Sequence, residues 1–155
     1  MHLYVDSRYI SPYAMFVFVT LHEKNKANFF DITTIDLEKG EQKQGEFAKL
    51  SMTQRVPMYE EDGFALTEST AILEYLEEKH DARQAYPLNR EERARARQLQ
   101  GWFRTDLQAL RKERPTTGVF YKLQEKPAPL SPEAQADADQ LFAVANTLLV
   151  DRKST

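Results

Sequence analysis

Cysteine is absent from the 155 residues, and its absence removes several chemistries at once. The chain can form no disulfide, no thiolate metal site and no protein-based thiol nucleophile, so any sulfur chemistry must use a thiol that a ligand brings. Glycine is scarce, five in all, and no glycine-rich loop for phosphate is present. The histidines His2, His22 and His80 have no ligand spacing to one another or to acidic residues, so no metal site is expected. No run approaches the roughly 20 apolar residues that cross a bilayer. Asp6 and Arg8 interrupt any apolar stretch a secretory signal would need. The expectation is a protein of the cytoplasm with no membrane segment.

What is present suffices for a packed core: 41% of the residues are hydrophobic and 11% aromatic. The length fits one ordinary domain or two small ones. Charge argues for two. Residues 1–80 carry 14 acidic and 8 basic side chains, a net of −6, whereas residues 81–155 carry 10 acidic and 13 basic, a net of +3. The basic half places Arg93, Arg97, Arg104 and Arg111 on one helical stripe. Glu91, Glu92, Asp106 and Glu113 accompany them and the aromatics lie elsewhere, so a solvated or subunit-facing surface is favoured over contact with nucleic acid.

Periodicity orders the elements. Leu3–Val5 reads as a short strand, Pro12 to about Lys24 as a helix, and Asn28 to Asp36 as a second strand. A charged loop over Glu38–Gly45 precedes a short helix at Phe47–Ser51. Asp62-Gly63 between two apolar runs signals a hairpin, because a two-residue type I′ turn needs positive φ. A helix over Ser69–His80 follows, with Ile72, Leu73 and Leu76 as its apolar stripe. Residues 81–89 read as a linker. A single long helix is predicted from about Arg90 to Arg114, with Leu99, Phe103, Leu107 and Leu110 on one face and its end before Pro115. Pro115–Leu130 reads as a loop. Ser131 as N-cap and Pro132 at the first turn open a last helix, striped by Leu141, Phe142, Ala145, Leu148 and Leu149.

The densest chemical information lies between Arg55 and Thr70: strand, turn, strand, helix start. Pro57 has no N–H for a ladder, so it belongs at a strand start or an edge, which leaves the Val56 backbone able to pair with something other than protein. Glu68 and Ser69 sit at the positive end of a helix, where unsatisfied N–H groups await an anion. A strand edge beside such a helix end describes a site for a small peptide. Ser11, before Pro12, is a helix N-cap, and a hydroxyl at a helix N-terminus can also stabilise a thiolate. Tyr4 and Tyr13 compete for that role, with aromatic packing as their alternative.

Ser11-Pro12-Tyr13 after a first strand, Val56-Pro57, Glu68-Ser69 at a helix start and a helical segment from about Arg90 form an ordered set that resembles the glutathione transferases. The similarity covers nearly the whole chain and is greatest to bacterial stress-associated members with a serine at the active position. The resemblance implies a thioredoxin-like α/β domain over residues 1–80 that binds glutathione, a linker over 81–89, and an all-α domain over 90–155 that is shorter than in the family. It implies a cis bond before Pro57, with Val56 facing the cysteinyl part of glutathione. Ser69 would take the γ-glutamyl carboxylate, Glu68 its ammonium, and Arg55 or Lys43 the glycine carboxylate. Ser11 would ionise the thiol for attack on an electrophile or a peroxide. Glutathione is then a co-substrate, and no metal is involved.

Family members extend further through additional helices, so a C-terminally shortened chain is expected. This sets a second reading beside the enzyme: a glutathione-binding protein without catalysis, its substrate pocket incomplete. Family habit, the opposite charges of the two halves and the apolar stripe of the last helix imply a homodimer. No nucleic-acid or membrane partner is expected.

Overall fold

In β1 (His2–Asp6), alternation sends Leu3 and Val5 to one face of a sheet and Tyr4 to the other. The computed structural model describes residues 1–26, 28–81, 83–121 and 126–150, and the chain divides into two units, Met1–Ala96 and Arg97–Thr155.

The first unit is built on a four-stranded sheet in the order β2-β1-β3-β4, with β2 at Asp31–Ile35, β3 at Met58–Glu61 and β4 at Phe64–Thr67. β1 pairs in parallel with β2 and antiparallel with β3, which pairs antiparallel with β4. Helices α1 (Pro12–Glu23) and α3 (Ser69–Lys79) cover one face. There Ala14, Val17, Leu21, Ile72 and Leu76 close on Leu3, Val5 and Tyr59. On the other face Phe47 of α2 (Gly45–Leu50) packs with Ile35, Met58, Tyr4 and Val56. Removing each such large apolar side chain from water contributes about 1.5–3 kcal/mol, so both faces hold the sheet in place.

The hairpin forms where the turn residues point to it, with φ of 51° at Asp62 and 83° at Gly63. The second strand is shorter than its apolar pattern, since Asn28 to Phe30 lie outside it. A 3₁₀ turn at Glu41–Lys43 occupies part of the charged loop. Ala82, within the 81–89 segment, is outside the described residues.

The predicted helix from Arg90 to Arg114 is broken. α4 spans Arg90–Thr105 and α5 spans Gln108–Glu113. Leu107 between them is left-handed, φ 59°, and only 7% exposed. Two contacts make the break favourable. The Gln108 side chain donates to the Thr105 carbonyl at 2.8 Å, and the Leu110 N–H donates to the Asp137 carboxylate at 3.0 Å. That acid supplies the N-terminal cap α5 needs.

A short helix, α6 (Thr117–Phe120), lies within the stretch read as a loop, of which residues 122–125 are outside the described set. α7 (Pro132–Val150) begins where Ser131 was expected to cap it, with the Ser131 hydroxyl accepting the Ala134 N–H at 3.2 Å. Among its described side chains Ala134 and Ala138 are buried, close in sequence to Asp137, which holds the start of α5, whereas Phe142, Leu148 and Leu149 of the predicted stripe are exposed. The tail, residues 151–155, lies outside the described residues.

Candidate functional site

Several segments end or begin at one edge of the first unit's sheet. β1 and β4 run toward this edge and β3 runs away from it. The β1/β3 pairing closes at Tyr4 and Met58, so Asp6, two residues after Tyr4, and Val56, two residues before Met58, both lie past that end of the ladder. The β3/β4 pairing likewise ends at Met58 and Thr67, so Pro57 and Glu68 both lie just past it. The ends of β1 and β4 and the residues leading into β3 therefore share this edge, where α1 and α3 begin.

Ser11 caps α1 with φ −71° and ψ 114°, and its hydroxyl oxygen accepts the Ala14 N–H at 3.3 Å. An oxygen that accepts in this way still carries a proton to donate outward. The Ser11 N–H is held by the Asp6 carboxylate at 3.0 Å, which ties Ser11 to the end of β1. Both rival hydroxyls take part in aromatic packing. The Tyr4 ring lies 5.5 Å from Phe47 and 4.7 Å from His2, and burial, then the Glu60 charge, push its phenol above its ordinary pKa. Tyr13 meets Phe16 edge-on at 6.3 Å.

Val56 and Pro57 precede β3, joined by a cis peptide bond. The Val56 side chain packs in the second apolar cluster. Among the described residues its N–H and C=O have no main-chain partner.

Glu68 is the N-cap of α3, with φ 68° and ψ 110°, and Ser69, the first helical residue, is 4% exposed. Positive φ at a glutamate is a strained conformation that costs of order 1–3 kcal/mol and persists only where its surroundings impose it. Here β4 delivers the chain directly into α3, so the positive N-terminus of the helix lies at the end of β4.

Lys43 ends the 3₁₀ turn and Arg55 precedes Val56; both are exposed, and neither forms an ion pair among the described residues. The register does not fix the position of either cation relative to Ser69. Sequence reasoning missed Asp6, which is 5% exposed. Its signal is an acid at the end of an otherwise apolar strand, where a buried charge requires partners. Among the described residues no group of three or more acidic or histidine side chains could hold a metal. No described helix is long and apolar enough to cross a membrane.

Residues 7–84 match the N-terminal domain of glutathione S-transferase, and residues 89–154 match the C-terminal domain of the same family. The chain belongs to the glutathione S-transferase family. It is 33% identical over 103 residues to rat glutathione S-transferase theta-2, an alignment covering 66% of this chain and 41% of that protein. With maleylacetoacetate isomerase of Dictyostelium discoideum it shares 42% identity over 71 residues, 46% of this chain and 32% of the other. A glutathione transferase homolog from Burkholderia GL BGR1, solved with bound glutathione, superposes with a TM-score of 0.73 at 36% identity. That superposition covers 95% of this chain and 66% of the Burkholderia chain. The chain thus spans about two fifths of the rat relative and under two thirds of the Dictyostelium and Burkholderia proteins.

Proposed function

We propose that the chain binds glutathione along the sheet edge that carries Ser11, Val56 and Glu68-Ser69, and activates its thiol. In this reading the tripeptide backbone pairs with the Val56 main chain. Its γ-glutamyl carboxylate meets the Ser69 hydroxyl and the N-terminus of α3, and Glu68 neutralises the ammonium. Arg55 or Lys43 meets the glycine carboxylate. The Ser11 hydroxyl donates to the sulfur. Each unit by which a thiol pKa falls requires about 1.4 kcal/mol of preference for the anion. A hydrogen bond to a charged group is worth about 1.5–3 kcal/mol, so one Ser11 contact can supply one to two units. The thiolate then attacks an electrophilic carbon or a peroxide oxygen.

The observation that supports this reading is that the end of β1, to which the Asp6 carboxylate ties Ser11, and the end of β4, which leads into Glu68, pair with the start of β3, which Val56 and Pro57 precede. The glutathione held by the Burkholderia relative supports it. The test is conjugation and peroxide turnover by the wild type and by Ser11→Ala. A loss of more than about tenfold in kcat is expected, because donors aimed at a developing charge are worth that much or more. Equal rates would remove Ser11 from the mechanism, and glutathione binding without any turnover would select the non-catalytic reading. We also place the chain in a cytoplasmic homodimer. The exposed Phe142, Leu148 and Leu149 of α7 support association, and light scattering of a micromolar solution tests it.

A further inference from the structure

We propose that Asp6 is a positioning residue that sets Ser11 for thiol activation, an inference that rests on the glutathione-activating reading above. Between the end of β1 and the start of α1 the chain must reverse in a few residues, and Tyr9 does so at φ 54°. A turn with a left-handed non-glycine residue holds only if its amides are tied down. Asp6 ties nearly all of them. One carboxylate oxygen accepts the Arg8 N–H at 3.2 Å and the Ile10 N–H at 3.0 Å; the other accepts the Ser11 N–H at 3.0 Å. The Asp6 carbonyl takes the Tyr9 N–H at 3.1 Å, and only the Ser7 N–H goes elsewhere, to the Ile35 carbonyl at 3.0 Å. The strand end therefore fixes the backbone of Ser11, and through it the direction of the hydroxyl.

The sign of the charge separates positioning from electrostatics. A carboxylate close to where a second anion forms disfavours that anion. If charge were the main effect of Asp6 on the thiol, removing the charge would ease ionisation. If geometry is the main effect, removing it misaims Ser11 and the thiolate is lost. Asp6→Asn keeps one acceptor oxygen but sets an NH₂ group against either Ser11 or the Arg8 and Ile10 pair, so the triple anchorage cannot survive. Asp6→Glu keeps the charge and displaces it by one methylene.

The experiment compares wild type, Asp6→Asn, Asp6→Glu, Ser11→Ala and Asp6→Asn/Ser11→Ala in three measurements. These are kcat, KM for glutathione, and the ultraviolet band of bound glutathione thiolate, with circular dichroism to check the fold. Positioning predicts that both Asp6 variants lose about tenfold or more in kcat together with the thiolate band, while KM stays within a few-fold. It also predicts that the double variant is no slower than Ser11→Ala, because Asp6 acts through Ser11. Where Asp6→Asn does not fold, Asp6→Glu decides by the same readouts. Unchanged or faster turnover in a folded Asp6 variant overturns the proposal, as do losses that multiply in the double variant. A wild type that does not bind glutathione, or a fully active Ser11→Ala, overturns the functional reading and this proposal together, and both results come before any Asp6 variant is measured.

Discussion

Lys24 and Glu77 form a buried ion pair at 2.5 Å, with side chains 0% and 8% exposed. Lys24 closes α1, and its ammonium also donates to the His80 carbonyl at 3.2 Å. Glu77 on α3 accepts the Ala85 N–H at 3.0 Å and the Tyr86 N–H at 3.4 Å. One pair of side chains thus joins the end of α1, the end of α3 and the segment that follows. Buried charges cost free energy unless every group is paired and hydrogen-bonded, and this network meets that condition.

Lys24→Met is expected to lower the unfolding free energy by about 3–5 kcal/mol, because it leaves the Glu77 carboxylate buried without its counter-charge. Lys24→Met/Glu77→Leu should recover part of the loss but not all, since the Ala85 and Tyr86 amides lose their acceptor. Denaturant titration of the three proteins checks both statements.

The same pair sets an acid limit. Burial pushes the Glu77 carboxyl up, but hydrogen bonds from Lys24, Ala85 and Tyr86 and the Lys24 charge outweigh it and hold the group below its ordinary 4.5. A carboxyl whose pKa is depressed on folding contributes stability that is present above its unfolded value and lost as pH falls through the folded one. Stability should therefore fall as the solution is acidified below 4.5. Glu77→Gln should show a shallower fall in denaturant midpoints taken across that range, and an identical slope would dismiss Glu77 as a source.

The parts of the fold that were legible in the sequence are those with local causes. Asp62-Gly63 dictates its turn, Ser131-Pro132 opens its helix, and Ile72 and Leu76 mark the buried face of α3. The break at Leu107 was not legible, because an acid 27 positions beyond Leu110, Asp137, caps the new helix. Four-residue spacing reads through such a break. The candidate site divides in the same way. Ser11, Val56-Pro57 and Glu68-Ser69 are visible as a proline before a strand and as helix starts. Asp6 is not, since its role exists only once the turn to Ser11 folds back on it.

Glu68 carries backbone strain where the proposed ligand ammonium sits, so stability and binding should part there. Glu68→Gly relieves the positive φ and is expected to leave the unfolding midpoint unchanged or raised, while glutathione affinity falls by about tenfold or more. Glu68→Gln keeps the strain and removes the charge, so affinity should fall with no gain in stability. Thermal unfolding paired with a binding titration reads both effects, and a Glu68→Gly protein that binds like the wild type would place the ammonium elsewhere.

Isothermal titration of glutathione into the wild type and Ser69→Ala tests the central claim most directly. The account predicts one glutathione per chain, with affinity lowered about tenfold or more in Ser69→Ala, because a hydrogen bond to a charged carboxylate is worth about 1.5–3 kcal/mol. No binding to the wild type, or binding that Ser69→Ala leaves untouched, would contradict the site proposed at the start of α3.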